Sequence, residues 1–380
     1  MAQSTTLRLR SLWLSVHKWI GLLLAVLIVP ISLTGSALVW HDWLDETLNP
    51  QRHAATGAPA LTPAAYAAAA QAALGPGERL LSIRYPEHAG RPVTVTAVAV
   101  SQPGASRPAR TSLWLDPADG RLLDKAPSDA GLVRVLHVLH GSLMVPGWGR
   151  MIVGWVGVFM FVSCLTGIWL WWPVTGSVRR GFRWRRRNST NANLHHQMGF
   201  WVLLPLAMLS STGFWISFPG VFGAFEASRP QSRSGPPDRA RALRARPLER
   251  TVLTADAAVA AAERHATGAL VTISWPTDQS SRWKVAFARE GGPAEVEIAD
   301  ASGEATPPRA PRPETLARTM RRWHDGTGMG PVWQAVIFIG GIIPALLAVT
   351  GIVMWLRGRG WRAELARKRK GGRLAPQPAE

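Results

Sequence analysis

Seven of the ten histidines in this chain gather at the ends of apolar segments, and they are the residues best placed to do chemistry. His17, His195 and His196 lie at one end of such segments, and His41, His137, His140 and His324 lie at the other. His53, His88 and His265 sit in polar stretches and read as solvated. A neutral imidazole ligates metal ions, and ionisable groups near membrane depth are functional candidates, although a lone interfacial histidine can also serve as a polar anchor. The single cysteine, Cys164, lies inside an apolar run, which excludes a disulfide framework and a cysteine-based zinc or iron–sulfur site. Any metal must therefore use histidine or carboxylate. No G-x-G-x-x-G follows a strand pattern, since Gly326-Thr-Gly328-Met-Gly330 lacks that context. Gly-x-Ser-x-Gly and His-Glu-x-x-His are also absent.

The histidines fall into pairs because the sequence repeats itself. His17-Lys-Trp-Ile-Gly21 with Thr34-Gly35 matches His195-His-Gln-Met-Gly199 with Thr212-Gly213, both at an offset of 178. His140 with Thr166-Gly167 matches His324 with Thr350-Gly351, both at an offset of 184. Helices related in this way would bring His17 to His195 and His140 to His324 across a shared axis. Two imidazoles facing each other meet the axial requirement of a haem iron, whereas zinc takes four ligands, or three and a water. A porphyrin needs close approach to the backbone, which Gly35, Gly167, Gly213 and Gly351 would permit; the same glycines suit helix–helix packing equally well. The residues between His17 and Thr34 span roughly 25 Å as helix, so two such cofactors would lie near opposite membrane faces. Trp169, Trp171, Trp172, Trp215 and Trp355 would line or bridge them, or form interfacial belts.

The elements that must hold these residues follow from hydropathy. Trp19 to Trp40, Met151 to Trp172, Met198 to Phe218 and Pro331 to Leu356 contain no Asp, Glu, Lys or Arg, and each is long enough to cross a bilayer. The first run is too long for the apolar part of a cleaved signal and reads as a retained helix. The formal charge of +19 could suggest a nucleic-acid partner, yet its densest run, Arg179 to Arg187, directly follows an apolar segment and reads as membrane-flanking charge. No nucleic acid is expected. Arg8, Arg10 and Lys18, that Arg run, and the tail from Arg357 to Lys370 place both termini on the cytoplasmic side and two long loops outside.

Each loop opens with an Ala-rich capped helix, at Leu61-Thr-Pro-Ala and Leu253-Thr-Ala-Asp. Strands are expected at Arg91 to Val100, Ser112 to Leu115, Ala269 to Trp275, Arg282 to Phe287 and Ala294 to Ile298. Residues 102–110 and 228–246, rich in Pro, Ser, Gly and Arg, are expected to be mobile. The fold class is a mainly α membrane protein: four transmembrane helices in two repeats, each repeat with an extracytoplasmic α+β domain. The expected order is a first helix (1–41), an outer domain (42–135), a second helix with an outer His segment (136–173) and an Arg-rich loop (174–194). A third helix (195–218), a second outer domain (219–322), a fourth helix with its His segment (323–357) and a basic tail (358–380) complete it.

The His-x-x-x-Gly opening of the first helix, Leu136-His137-x-x-His140 before the second, Thr-Gly near the far end of each helix, and the α+β loops together resemble the PepSY-associated transmembrane proteins. The resemblance covers nearly the whole chain, most strongly in the helices. It implies PepSY-like outer domains, a bacterial inner-membrane location with membrane lipid around the helices, and a link to iron uptake. Some members of that family are ferric-siderophore reductases with two b-type haems, so it also implies about two haem b. His17, His195, His140 and His324 would be the iron ligands, with His137, His196 and His41 as neighbouring candidates. The implied partners are a ferric siderophore or other ferric chelate and a separate electron donor, a quinol or a cytoplasmic reductase. The alternative is a non-enzymatic anchored module whose outer domains bind a peptide or protein.

Overall fold

A computed structural model describes residues 2–100, 108–172, 179, 182–184, 189–227, 243–309 and 314–371. Most of the two stretches expected to be mobile (102–107 and 228–242), together with Arg180 and Arg185 to Arg187 of the basic run, lies outside the described residues. The chain divides into two compact units: Met1–His41 with Val135–Arg229 and Glu314–Glu380, and Asp42–Arg134 with Pro230–Pro313.

The first unit is helical. α1 (Ala2–Leu38) is followed, after the second unit's first segment, by α4 (Leu132–Ser142), α5 (Gly149–Trp171), α6 (Thr190–Trp201), α7 (Leu203–Ser217), α8 (Pro219–Ala227), α10 (Leu316–Asp325) and α11 (Gly330–Gly371). Three stretches, Arg8–Leu38, Gly149–Trp171 and Gly330–Lys368, are long and apolar enough to cross a membrane. The third run expected from the sequence is a bent pair, α6 and α7, with 64° between them. Pro205 explains the bend, because its ring displaces the carbonyl of the residue four positions earlier, Trp201, where α6 stops. The helix begins earlier than hydropathy suggested, at a Ser189 side chain that accepts from the Ala192 amide.

α1 packs on α5 and α11, α5 on α7, and α11 on α6 and α7, which closes a four-helix ring. Its interior holds buried Ser32, Thr34, Ser36, Thr166, Ser210, Thr212 and Thr350, while Val26, Leu204 and Val332 are 77–79% exposed on its outside. Small polar residues inside and large apolar ones outside invert the pattern of a water-soluble bundle and suit lipid. The histidines expected just outside the second and fourth helices lie on α4 and α10, short helices set before α5 and α11. α10 ends at Gly326 in the left-handed conformation, whereas the turn after α4 passes through Leu143 and Met144 with positive φ.

The second unit is one antiparallel sheet of eight strands in the order β4-β3-β2-β1-β5-β6-β7-β8. The first segment supplies α2 (His41–Leu48), α3 (Pro63–Ala72), β1 (Glu78–Arg84), β2 (Val93–Ala99), β3 (Arg110–Leu115) and β4 (Leu122–Pro127). The second supplies α9 (Ala255–Glu263), β5 (Leu270–Ser274), β6 (Arg282–Phe287), β7 (Ala294–Ala299) and β8 (Ala305–Thr306). Thr62 and Thr254 cap α3 and α9 by accepting from Ala65 and Ala257 amides. The two loops expected as separate domains are joined edge to edge, because β1 pairs with β5 at Ile83 and Ile273. That pairing covers the strand edges that two separate sheets would leave open. One row of buried side chains then runs through Leu113, Val95, Ile83, Ile273, Val285 and Val296 across successive strands. Tyr66 and Ala70 of α3 and Ala258 and Ala262 of α9 cover this row. Each large side chain in it contributes about 1.5–3 kcal/mol of apolar burial.

His53, expected to be solvated, is held instead by Asp45 at 3.2 Å, beside the Arg52–Asp45 and Arg52–Asp124 ion pairs at 3.0 and 2.7 Å. Two buried carboxylates anchor the loops that enter the strands. Asp116 accepts from Thr56 and Ala118 amides, and Asp300 from Val252 and Leu253 amides and the Trp283 indole. Burial opposes ionisation of Asp116, but the Ala118 and Thr56 hydrogen bonds outweigh it and hold the carboxyl below its ordinary range. Its contribution to stability is therefore complete above the unfolded value of about 3.9 and is lost as pH falls through the depressed folded value. Asp116→Ala leaves buried amides unpaired and is expected to cost about 1–3 kcal/mol. A thermal melt of the detergent-purified protein at pH 7 checks this, and an unchanged midpoint would remove Asp116 as an anchor.

Candidate functional site

Helix α1 carries His17 near its middle and Gly35 near its C-terminal end, and each takes part in one cluster of histidines. His17 faces His195 of α6, with ring centres 6.5 Å apart and planes at 85°. His140 of α4 faces His324 of α10, with centres 6.0 Å apart and planes at 43°. The pairs expected from the repeat are thus brought together, and all four rings belong to the helical unit. Along α1, the eighteen positions from His17 to Gly35 correspond to roughly 27 Å, so the pairs lie at opposite ends of the bundle.

The hydrogen bonds of the four rings fix their tautomers. His17 Nδ1 lies 2.9 Å from Thr166 Oγ1, His195 Nδ1 2.9 Å from Thr350 Oγ1, and His324 Nδ1 2.9 Å from Thr212 Oγ1. Each threonine hydroxyl already donates its proton to a carbonyl of its own helix: Ser163 for Thr166, Leu346 for Thr350 and Met208 for Thr212. The hydroxyl oxygen can then only accept, so each Nδ1 carries the proton. His140 reaches the same state by another route, because its Nδ1 donates to the Ile31 carbonyl at 2.9 Å while Thr34 donates to Pro30. All four imidazoles therefore keep the Nε2 lone pair for a ligand, and the partner on Nδ1 orients the ring as the outer contacts of metal-bound histidines do. Burial holds His140 and His324, on the short helices outside the long apolar spans, below the usual imidazole range, His324 at about 4. Both are neutral at pH 7, the form that ligates iron.

The four glycines face the histidine rings themselves. A Cβ on Gly35 would stand 2.7 Å from His140 Cε1, on Gly213 3.2 Å from His324 Cε1, on Gly167 3.5 Å from His17 Cε1 and on Gly351 3.6 Å from His195 Cε1. Each Thr-Gly pair is thus a seat for an imidazole from another helix: at three seats the threonine orients the ring, and at all four the glycine makes space. The sequence reading had these glycines facing a porphyrin or a neighbouring helix. The spacing of the motif contained no sign that its contact would be a histidine.

Of the remaining candidates, His41 and His137 form a third pair, with ring centres 6.3 Å apart at 79°, and both rings are exposed. His196 stacks on Trp171 at 6.0 Å, in an aromatic cluster with Phe182 and Phe200, rather than joining the His17–His195 pair. Cys164 is buried among Val202, Leu206 and Leu347. Among the described residues no group of three or more His, Cys, Asp or Glu is arranged to hold a metal ion, which leaves the two-histidine pairs as the candidate ligands. No curated protein matches the chain. Residues 14–358 match the family described as the PepSY-associated TM region. That match covers nearly the whole sequence, including both histidine pairs and both segments of the sheet, and the chain belongs to the PepSY-associated transmembrane family.

Proposed function

We propose that this protein is a dihaem b electron carrier of the bacterial inner membrane that reduces a ferric siderophore or another ferric chelate on the periplasmic side. The observation that carries the proposal is the pair of neighbouring imidazoles at each end of one bundle. Ring centres 6.5 and 6.0 Å apart would let the two imidazoles of each pair hold one iron between them. His17 and His195 would hold one haem and His140 and His324 the other. Haem iron supplies reversible one-electron transfer. The protein's residues would orient the ligands, exclude water and separate the two sites across the bundle. Each ferric ion reduced takes up one electron from a separate donor, a quinol or a cytoplasmic reductase, since the chain has no dinucleotide motif. Reduction favours release because hard oxygen ligands hold ferric iron more tightly than ferrous iron.

The orientation belongs to the same proposal. Counting α6 and α7 as one broken span makes four spans and puts both termini on the same side. The Arg and Lys clusters at those termini and in the loop before α6 support the cytoplasmic side for it. Reporter fusions at Gly120 and Gly303 are expected to read periplasmic and a fusion at Glu380 cytoplasmic. A cytoplasmic signal at Gly120 would reverse the direction of electron flow.

The function is tested on detergent-purified protein. A pyridine haemochrome assay is expected to give about two haem b per chain. Chemically reduced protein is expected to be reoxidised by a ferric chelate, with ferrous iron trapped by a chromogenic chelator. Folded protein without haem overturns the proposal. In that case the second reading gains, a module that binds a peptide or protein; a hollow of about 270 Å³ in the second unit, lined by Gln71, Thr251, Trp275 and Trp283, favours it.

A further inference from the structure

Helix α10 carries Arg318, Arg321 and His324 at three-residue intervals, and α4 carries Arg134, His137 and His140 at the same intervals. The offset of 184 that relates His140 to His324 also relates Arg134 to Arg318 and His137 to Arg321. In both helices the last residue is the half-buried imidazole, while the two before it are exposed. Arg322 is taken up by Glu314 at 2.9 Å, and Asp325 is the one acidic residue within α10. Among the described residues neither Arg318 nor Arg321 has a carboxylate within ion-pair distance. Membrane orientation does not account for them, because arginine next to a span is retained on the cytoplasmic side and these residues lie on the outer side in the orientation proposed above.

We infer that the exposed side of α10, with Arg318 and Arg321 next to His324 and with His137 next to His140 on α4, docks the electron acceptor, and that this acceptor is an anionic ferric chelate. This rests on the ferric-reductase reading and narrows it to a substrate class: complexes with net negative charge, such as those of citrate or catecholate, in preference to cationic hydroxamate complexes. A guanidinium fork matches carboxylate and catecholate oxygens, and two cations beside the exit of an apolar bundle raise the local concentration of an anion. Contact with a bulky hydrophilic chelate requires that the cations be exposed, as they are.

The test separates docking from reduction by using gallium(III), which has the charge and size of ferric iron but does not accept an electron under these conditions. Binding of anionic gallium citrate or catecholate to the full-length haem-loaded protein is expected to be at least about tenfold tighter than binding of a cationic gallium hydroxamate. It should weaken steeply as salt rises from about 0.05 to 0.5 M. Arg318→Gln with Arg321→Gln should lower the affinity for the anion about tenfold and raise KM for anionic ferric chelates with kcat little changed. Haem content should stay at the wild-type value, which shows that the variant is folded. Equal or tighter binding of the cationic complex, or salt-independent binding of the anion by wild type, overturns the inference. So does a double variant that loses bound anionic lipid in nanodiscs while keeping its chelate affinity, because the arginines would then anchor lipid. Arginine-dependent binding of the gallium anion by a protein that reduces no ferric chelate would leave the docking surface standing and sink the reductase reading.

Discussion

Alanine at His17 or His195 is expected to remove one of two haems and leave the other spectrally intact, and alanine at His140 or His324 is expected to remove the other one. The expectation follows from geometry. Each pair is closed within itself, with ring centres 6.5 or 6.0 Å apart, and roughly 27 Å of α1 separates the two. Loss of one imidazole leaves its partner with no second ring on the opposite side. The Thr166, Thr350 and Thr212 hydroxyls are also left without the proton they accept. Haem per chain should fall from about two to about one in all four variants. Redox titration should lose one component in the first two and the other component in the second two. The His140 and His324 variants should also lose ferric-chelate reduction, whereas the His17 and His195 variants should keep direct reoxidation of the remaining haem by a chelate. Equal haem content in all four would show that the pairs are not the ligands. His41→Ala, His137→Ala and His196→Ala serve as controls, since these rings lie outside the two pairs, and they should retain both haems.

A second large effect is expected from a single methyl group. In Gly35→Ala the new Cβ would meet His140 Cε1 at 2.7 Å, closer than carbon atoms approach, and the ring cannot retreat without losing its bond to Ile31. Overpacking of this kind costs about 1–3 kcal/mol, which is about fivefold to 150-fold in affinity for whatever the ring holds. The other three seats predict a graded series. Gly213→Ala meets His324 at 3.2 Å and should weaken the same site less, while Gly167→Ala at 3.5 Å and Gly351→Ala at 3.6 Å make ordinary contacts and should be tolerated. Haem retention under competition with apomyoglobin measures all four. A series in which Gly167→Ala and Gly351→Ala are the most damaging would mean that the glycines leave space for the cofactor rather than for the histidines.

The helices and the histidine pairs were legible because both rest on local rules. A bilayer demands long uncharged runs, and Trp19 to Trp40, Met151 to Trp172 and Pro331 to Leu356 meet that demand by composition. Repetition at fixed offsets then names the partners, since like positions on like helices meet across an axis. The bend between α6 and α7 was hidden in a run that looked uninterrupted, although Pro205 was the available signal. The sheet was less legible. β2, β5, β6 and β7 alternate or are rich in branched residues, but β1 reads Glu78-Arg-Leu-Leu-Ser-Ile-Arg84, and its adjacent leucines break the alternation at an irregularity in register between Leu80 and Ser82. β4 is a charged edge strand ending in Pro127, a composition that reads as loop.

What the sequence determined by itself is therefore the family, through the resemblance its motifs carry, and the apolar spans and the pairing of His17 with His195 and His140 with His324, which follow from composition and from a repeat. Tertiary structure alone decided the rest. The joining of the two halves of the sheet at Ile83 and Ile273 depends on which strand edges come together from segments far apart in the chain. The seating of each imidazole on a Thr-Gly pair depends on helix rotation and close approach, which a one-dimensional pattern does not record. The tautomers follow from where each threonine spends its proton, Ser163 for Thr166 and Met208 for Thr212, and that choice exists only once the backbone carbonyls of a folded helix are in place.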